Sequence, residues 1–274
     1  MANYDLRKLQ LRLLDILTDI DRVCREHGLR YYLMYGTMLG AVRHQGFIPW
    51  DDDIDIGMPR DDYERLIEHA CEWLPDHLQM VCAENDALYP VAFAKIQDCR
   101  TTLIERPHYY YLGGIYCDVM PIDGIPQGWL RRRLHILHYR FWFRTLYLVH
   151  RDPYRHGHGP SSWLPLLVRK CTTLQRVQRH IRSVLTRYRL SDCDAICLYN
   201  DHTHAIIPKE VFGQPTEVVF EGRRFFGPQQ ADSYLRFCFG PTYMQLPPEE
   251  KRHVHNFYYL DFEKPFKEKE SVSK

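Results

Sequence analysis

The apolar residues of the first 75 positions alternate between helical and strand periodicity, which restricts the N-terminal part to an α/β fold. Apolar side chains recur every three or four residues from Leu6 to Val23, which predicts an amphipathic helix over 4–27. Gly28 follows at the position where helices commonly end in a left-handed residue. The next predicted elements are a strand over 30–36, a short helix over 37–46, a strand over 53–58 and a helix over 60–74.

The remaining sequence extends the predicted sheet and then changes in composition. Three further strands are predicted at QMVCAE, VAFAKIQ and GIYCDVMPI, and they extend the predicted mixed sheet to about Pro126. A basic, helical stretch covers 127–190 and is interrupted by the turn-rich run RDPYRHGHGPSS. Residues 191–274 combine strand candidates at TEVVFEGRRFF with a helix beginning near Pro228. We therefore predict three parts, 1–126, 127–190 and 191–274.

The charge of the chain is strongly asymmetric. Residues 127–190 hold fourteen Lys and Arg against one acid, Asp152, and so carry +13, whereas the other 22 basic and 34 acidic residues carry −12. The run GWLRRRLHILHYRFWFRTLYLVHR mixes aliphatic and aromatic residues with six arginines, as interfacial helices on anionic lipid do. A helix packed inside a domain is the alternative interpretation of 128–150, and it stays open. Nucleic acid is disfavoured as a partner, because no aromatic stacking platform is evident.

The cysteines and the N-terminus indicate a cytoplasmic protein. The nine cysteines are scattered, odd in number and form no C-x-x-C pair, which favours a reducing compartment. The run MANYDLRKLQ carries charges where a secretory signal would be apolar, and no run reaches the roughly eighteen apolar residues of a membrane-spanning helix. We therefore expect a cytoplasmic chain, with peripheral attachment to the inner face of the cell membrane as an open alternative.

The run YGTMLGAVRHQGFIPWDDDIDIGMPR carries the residues that indicate chemistry. Side chains two positions apart in a strand point the same way, about 7 Å apart, so Asp53 and Asp55 share one face. Two such carboxylates suit Mg²⁺, with Mn²⁺ as the alternative, because both cations prefer oxygen ligands. Asp52 is a candidate substrate-binding residue, and a structural role for it and for Asp51 is equally open. An isolated acidic run is ordinarily a solvated turn, so the flanking pattern decides the interpretation.

That flanking pattern begins at Gly36 and Thr37, where the predicted strand turns into a helix. The free N–H groups at a helix start attract phosphate, the glycine lets the backbone approach closely, and the threonine hydroxyl adds a polar group. A Gly-Thr turn followed by an Asp-x-Asp strand resembles the signature of the nucleotidyltransferase superfamily. The sequence therefore predicts a phosphate site beside a metal site.

A longer resemblance is to the LicD family, which is related to the fukutin group. It rests on GTMLGAVRHQGFIPWDDDIDIGM and, in the family's order, on FAKIQDCRTT, YCDVMPIDGIP and FEGRRFFGPQQADSYLRFCFGPTYMQLPPEEKRHVH. These blocks cover most of the chain outside the basic middle. The resemblance implies an α/β fold with a nucleotidyltransferase-like mixed sheet core flanked by helices in 1–126. It leaves 127–190 as a basic helical insertion, and 191–274 as a small C-terminal α/β part that completes the active site.

The resemblance also implies roles for individual residues. The superfamily takes a third carboxylate from a neighbouring strand, and Asp118 is the matching position, with Asp123 as the second choice. Asp53, Asp55 and Asp118 would be the catalytic and metal-binding residues. Substrate binding is implied for basic residues that match the family blocks, each with a structural or surface role as the alternative, namely Arg43, Lys95 and His255.

The family further implies a substrate class. Its members use a CDP-alcohol donor such as CDP-choline or CDP-ribitol and transfer the phosphoalcohol to a glycan, which is lipid-linked in one version of this hypothesis. Two alternatives remain open from the sequence. One is a true nucleotidyltransferase that uses a nucleoside triphosphate and releases pyrophosphate, and the other is a membrane-associated binding protein with a degenerate site.

Overall fold

The computed structural model describes residues 4–105, 113–154, 157–199, 205–252, 254 and 257–266. The helices in these ranges are α1 (Leu6–Glu26), α2 (Tyr35–His44), α3 (Arg60–Trp73), α4 (Trp129–His150), α5 (Pro160–Cys171), α6 (Leu174–Leu185), α7 (Lys209–Phe212) and α8 (Ala231–Phe239). The strands are β1 (Tyr32–Leu33), β2 (Asp55–Pro59), β3 (Leu78–Val81), β4 (Ala94–Ile104), β5 (Gly113–Ile125), β6 (Ala195–Cys197), β7 (Ile206–Pro208), β8 (Thr216–Phe220), β9 (Arg223–Gly227) and β10 (Tyr259–Asp261).

A mixed sheet centred on β5 organises these elements. Its main path runs β1, β2, β5, β4, β10. Strands β2 and β5 are parallel, β4 is antiparallel to β5, and both β3 and β10 are antiparallel to β4. The end of β5 also pairs with β6, which pairs in turn with β7, whereas β8 and β9 form a separate antiparallel pair. Strand β5 therefore joins the residues of the N-terminal half to those that follow the basic helices.

Helix α1 covers the sheet because one of its faces is apolar along its whole length. Asp5 caps the helix by accepting a hydrogen bond from the Lys8 N–H group. Cys117 of β5 donates its Sγ–H group to the Leu13 carbonyl oxygen at 3.7 Å, which shows how closely helix and sheet approach. Burial of each large aliphatic side chain stabilises the fold by about 1.5–3 kcal/mol. The buried side chains of this face include Leu9, Leu13, Leu14, Ile16, Leu17, Ile20 and Val23.

A second apolar cluster supports the basic helices. Tyr139 of α4 and Ile181 of α6 are buried and pack in one cluster with Ile125, the last residue of β5. Gln178 of α6 donates two hydrogen bonds, of 2.8 and 3.1 Å, to carbonyl oxygens of the loop before β4. Helices α4 and α6 therefore rest on a core of their own beside the end of β5.

The expected mixed α/β architecture, a mixed sheet flanked by helices, is confirmed, but several predicted strand boundaries are wrong; β4, for example, runs to Ile104 and not to Gln97. The strand predicted over 30–36 is reduced to β1 because α2 already begins at Tyr35. The strand predicted from Asp53 begins at Asp55, whose N–H group binds Thr37 instead of a neighbouring strand. Strands β6, β7 and β10 were not predicted, since three residues are too few to show a period of two. The division of the chain into three parts stays a prediction.

Candidate active site

Three neighbouring strands place two carboxylates and an ammonium group side by side. Asp55 lies opposite Asp118 in the parallel pair β2–β5, and Lys95 lies opposite Asp118 in the antiparallel pair β4–β5. Side chains in register on adjacent strands project from the same face, about 4.8 Å from strand to strand. Asp55 and Lys95 are buried, and Lys95 Nζ lies 3.0 Å from Asp118 Oδ1. We call Asp55, Asp118 and Lys95 the ionic row.

The carboxylates at this row repel one another. Burial raises the pKa of Asp55 well above its usual value, and the charges of Asp53, Asp118 and Asp51 raise it further. Burial also raises the pKa of Asp118, to about 6, although Lys95 acts in the opposite direction. Asp53 precedes β2 and is half-buried. Four carboxylates therefore gather near the start of β2, and an added positive charge would relieve their repulsion.

The Lys95 ammonium group is held by contacts that were not predicted. Its Nζ lies 3.2 Å from Glu105 Oε1 and 3.2 Å from the centre of the Tyr116 ring. The Tyr116 hydroxyl donates a hydrogen bond of 2.5 Å to the same Glu105 oxygen. Burial lowers the pKa of Lys95, but Asp118, Tyr116 and Glu105 more than offset this and keep the lysine charged. The sequence could have indicated Tyr116 as a site residue, because it stands two positions before Asp118 in β5 and therefore lies on the same face of the strand.

The first turn of α2 positions Asp55. Thr37 is buried, and its Oγ1 accepts a hydrogen bond of 2.9 Å from the Asp55 N–H group. Gly36 lets the Asp51 side chain lie close to the backbone of α2, because a Cβ atom at position 36 would be 2.8 Å from Asp51 Oδ2. Tyr35 has a left-handed backbone with φ 39°, a conformation that costs free energy and is often found at functional sites. The predicted binding of phosphate by Gly36 and Thr37 remains untested, and the observed contact of Thr37 is with Asp55.

Two other carboxylates named from the sequence have partners outside the ionic row. Asp52 is buried and accepts a hydrogen bond of 2.6 Å from the Tyr4 hydroxyl, which is a structural contact. Asp123 is buried and accepts two hydrogen bonds from Arg60, of 2.8 Å from Nε and 2.6 Å from Nη2. The structure therefore places Asp118, and not the second choice Asp123, in the row.

Arg43 links α2 to the segment that follows α8. Its Nη1 donates hydrogen bonds to the carbonyl oxygens of Tyr243, at 2.9 Å, and Gln245, at 3.3 Å. Burial lowers the pKa of Arg43, and the negative charge of Asp51 acts in the opposite direction. The guanidinium group therefore lies within electrostatic reach of the acidic run while part of it holds the C-terminal segment.

The C-terminal segment approaches the acidic run through a residue that was not predicted. The Arg252 guanidinium lies 4.8 Å from the centre of the Trp50 ring, next to Asp51 in the sequence. His255, the predicted substrate-binding histidine, lies outside the described residues, as does His253. The role of His255 therefore stays a prediction.

The ionic row offers oxygen ligands that fit a divalent cation. Asp118 Oδ1 is buried and accepts no well-aligned hydrogen bond from the residues described, although Lys95 Nζ is close. In the same part of the chain, no three His, Cys, Asp or Glu side chains are arranged to hold a metal ion. Mg²⁺ is commonly bound by one or two carboxylates, and substrate phosphates complete its coordination. The carboxylates therefore fit a site in which protein and substrate together coordinate Mg²⁺, and not a site that is formed by protein ligands alone.

Comparisons with known proteins identify the family to which this site belongs. Residues 28–112 match the family model described as LicD/FKTN/FKRP, nucleotidyltransferase domain. The chain is 30% identical over 271 residues to the lipopolysaccharide cholinephosphotransferase LicD of Haemophilus influenzae, and the match covers 93% of this chain and 97% of that protein. An uncharacterised protein of Rickettsia prowazekii, RP689, is 31% identical over 124 residues, which is 44% of this chain and 42% of that protein.

A shorter match is to a mammalian enzyme. The human ribitol 5-phosphate transferase FKRP is 51% identical over 35 residues, which is 13% of this chain and 7% of that protein. The likeness to the Haemophilus influenzae enzyme, in contrast, extends over nearly the whole length of both chains. The chain therefore belongs to the LicD family of phosphotransferases.

Proposed function

We propose that the chain moves a phosphoalcohol group, such as phosphocholine, from a CDP-alcohol donor to a hydroxyl group of a cell-surface glycan and releases CMP. The observation that carries this proposal is the ionic row of Asp55, Asp118 and Lys95 in a chain of the LicD family. Buried carboxylates whose pKa is raised by one another are typical of functional sites. We include in the proposal a nucleotidyltransferase-type core and a cytoplasmic location.

Metal dependence is part of the proposal. Asp53, Asp55 and Asp118 would share the binding of Mg²⁺, or of Mn²⁺ in its place, with the phosphates of the donor, because no three of the described side chains form a metal cage by themselves. When bound, the cation supplies positive charge that offsets the diphosphate of the donor. The first support is that burial, together with the neighbouring carboxylates, raises the pKa of Asp55. The second is the buried Asp118 oxygen, which accepts no well-aligned hydrogen bond from the residues described.

The proposed reaction exchanges one P–O bond for another. The oxygen of the acceptor hydroxyl attacks the phosphorus that bears the alcohol, a P–O bond to the glycan forms, and the P–O bond to CMP breaks. Asp118 accepts the proton of the attacking hydroxyl. Lys95 fixes the position of Asp118 through their 3.0 Å ion pair, and Glu105 fixes Lys95 in turn at 3.2 Å.

Donor binding is proposed for the start of α2 and for Arg43. The N–H groups at the start of a helix attract phosphate, and Gly36 keeps this helix start free of a side chain. Arg43 would contact the diphosphate with the part of its guanidinium that does not hold the carbonyl oxygens of Tyr243 and Gln245. Thr37 would contribute by holding the backbone next to the metal-binding carboxylate.

The names of two relatives support a phosphoalcohol as the transferred group. The Haemophilus influenzae relative is named for choline phosphate and lipopolysaccharide, and the human relative is named for ribitol 5-phosphate. Because the first of these matches over nearly its full length, choline phosphate and a lipopolysaccharide-type glycan are the first donor group and acceptor to test.

A second candidate function is nucleotidyl transfer, which the description of the matched domain favours. The same carboxylates and the same cation would serve an attack on the α-phosphorus of a nucleoside triphosphate, and pyrophosphate would then leave. The third candidate, a binding protein with a degenerate site, is disfavoured because Asp53, Asp55 and Asp118 are all present.

A thermal-unfolding screen tests the proposed donor. The ligands are CDP-choline, CDP-ethanolamine, CDP-glycerol, CDP-ribitol and CTP, each with Mg²⁺ or with EDTA. A ligand at 100 times its Kd stabilises the native state by about 2.7 kcal/mol, which raises the Tm of a chain of this size by roughly 5–10 °C. We expect a CDP-alcohol to give this shift only with Mg²⁺.

Two variants test whether the shift in Tm depends on the ionic row. Asp55→Asn should abolish the shift, whereas Leu88→Gln, a change at a side chain that is 60% exposed, should preserve it. Protection by CTP and by no CDP-alcohol would favour nucleotidyl transfer. Equal protection in EDTA would contradict a role for the cation in donor binding.

A further inference from the structure

Helix α4 is apolar on two opposite faces, and the protein covers one of them. Tyr139 and Leu146 are buried in the cluster shared with α6 and the end of β5. The opposite face carries large apolar side chains at three- and four-residue spacing that are 58–60% exposed, namely Leu130, Leu134, Leu137 and Phe141. A helix that is apolar all round is ordinarily buried all round, so this exposed stripe is suited to a partner.

Helix α5 continues the stripe across an open cleft of about 870 Å³. Leu164 and Leu167 line the cleft from α5 and are 54% and 58% exposed, and the neighbouring Trp163 is 67% exposed. We call these apolar residues together the α4–α5 surface. It consists of Leu130, Leu134, Leu137, Phe141, Trp163, Leu164 and Leu167.

All but one of the Lys, Arg, Asp and Glu side chains of residues 127–190 are basic. The only acid within 127–190 is Asp152, in the loop after α4. Exposed arginines line the cleft or stand along α4, namely Arg131, Arg133, Arg140, Arg144 and Arg176. An apolar stripe bordered by cations is complementary to a boundary where apolar chains meet anionic groups.

We propose that the α4–α5 surface docks on a bilayer that presents anionic lipid headgroups. The leucine and aromatic side chains enter the boundary between headgroups and acyl chains, and the arginines meet the lipid phosphates. With this surface against the lipid, α4 and α5 lie in the plane of the interface. None of the described helices is long and apolar enough to cross a membrane.

The charge pattern favours a membrane over two other partners. A second copy of the chain would bring two sets of arginines together, and like charges across an interface repel. A nucleic acid would bind the arginines through its phosphates but would leave the leucines in water. Of these three partners, only an anionic bilayer covers the apolar side chains and also pairs with the arginines.

Some arginines of the segment do not belong to this surface. Arg132 donates hydrogen bonds to Asp194 Oδ1 at 3.1 Å and to the Pro126 carbonyl oxygen at 3.0 Å, so it holds α4 to the rest of the protein. Arg182 forms ion pairs of 3.0 and 3.1 Å with glutamates of α3 and of the loop after β3. Variants that test docking should therefore leave Arg132 and Arg182 unchanged.

The test is co-sedimentation of the full chain with vesicles of phosphatidylcholine alone or of equal parts phosphatidylcholine and phosphatidylglycerol. The charge variant is Arg140→Gln with Arg144→Gln. It should bind the anionic vesicles about 25-fold more weakly, or about fivefold for each arginine. The apolar variant is Leu137→Gln, Phe141→Gln, Leu164→Gln and Leu167→Gln, which keeps the charge and should weaken binding at least about tenfold.

Matched controls change similar side chains elsewhere. Leu88→Gln with Val219→Gln replaces side chains that are 60% and 49% exposed, and Arg22→Gln with Arg224→Gln removes two exposed arginines. Both controls should bind like the wild type. The proposal is overturned if the wild type stays in the supernatant, if neutral vesicles bind it equally well, or if the controls lose as much binding. It is also overturned if the apolar variant abolishes self-association while vesicle binding is unchanged.

Discussion

The ionic row and the α4–α5 surface depart from ordinary folding preferences in opposite ways. In the row, carboxylates that water would stabilise are buried beside one another. On the α4–α5 surface, large apolar side chains that a core would stabilise stay in contact with water. Both arrangements cost folding free energy. Such departures are expected where a chain serves a partner, and here the first suits a small cation with a diphosphate and the second suits an extended surface.

The largest expected difference between the two regions is in catalysis. Asp55→Asn removes a charge at nearly constant volume, so we expect transfer to fall at least about 1,000-fold, or about 4 kcal/mol of transition-state stabilisation. Arg140→Gln with Arg144→Gln should change transfer to a water-soluble acceptor by less than about threefold, a loss below about 1 kcal/mol. Initial rates, with circular dichroism to verify the fold, provide the measurement. A residual rate above roughly a tenth in Asp55→Asn, a loss below about 1.4 kcal/mol, would contradict the assignment.

A second comparison separates a buried charge from an exposed one. Lys95→Met leaves Asp118 and Glu105 without the ammonium group between them, and breaking a buried ion pair in this way costs about 3–5 kcal/mol of stability. Arg140→Gln removes an exposed charge and should change the free energy of unfolding by less than about 0.5 kcal/mol. Urea denaturation of both variants gives the two values. Similar losses in both would show that Lys95 does not stabilise the row.

The pH dependence of stability gives a smaller effect. Burial and neighbouring charges raise the pKa of Asp118 to about 6, so the folded protein binds this proton more tightly than the unfolded chain. The stability from this group is present below pH of about 4 and is lost as the pH rises through about 6. Without metal, the unfolding free energy of the wild type minus that of Asp118→Asn should therefore fall by on the order of 1–3 kcal/mol across this range.

Denaturation in EDTA at several pH values measures this difference, and Asp15→Asn provides the control, because the Asp15 side chain is 63% exposed. The control should show no such trend. If the difference for Asp118→Asn were constant or rose with pH, the burial and repulsion described for the row would be wrong.

The sequence predicted the local parts of the site better than the long-range parts. Asp53 and Asp55 were found from their own spacing, and the structure buries Ile54 and Ile56, the residues that alternate with them. Asp118 came from the family resemblance, because its place opposite Asp55 depends on the pairing of β2 with β5. Glu105 was missed because it follows the strand β4 that also holds Lys95, ten residues further along the chain. A regular strand would keep the two about 33 Å apart, so their contact depends on the irregularity of β4 between Asp98 and Leu103.

For the basic segment, two alternatives followed from the sequence, packing inside a domain and contact with a membrane, and the structure shows that α4 has one covered and one exposed apolar face. Its apolar residues surround the helix, which left packing and membrane contact equally open. Tyr139 lies on the packed face and Phe141 on the exposed face, two residues apart in the chain. Hydrophobicity alone does not distinguish the two faces, because which face is covered depends on the position of α6.

The proposed activity is the transfer of a phosphoalcohol with release of CMP. It is tested most directly by identifying both products of one reaction. The reaction contains Mg²⁺, lipopolysaccharide that lacks phosphocholine, and the CDP-alcohol that protects the protein against unfolding. We expect CMP and one added phosphoalcohol per CMP on the glycan, by chromatography and mass analysis, and neither product in EDTA or with Asp55→Asn. Release of pyrophosphate from CTP, or a nucleotide attached covalently to the glycan, would contradict the claim.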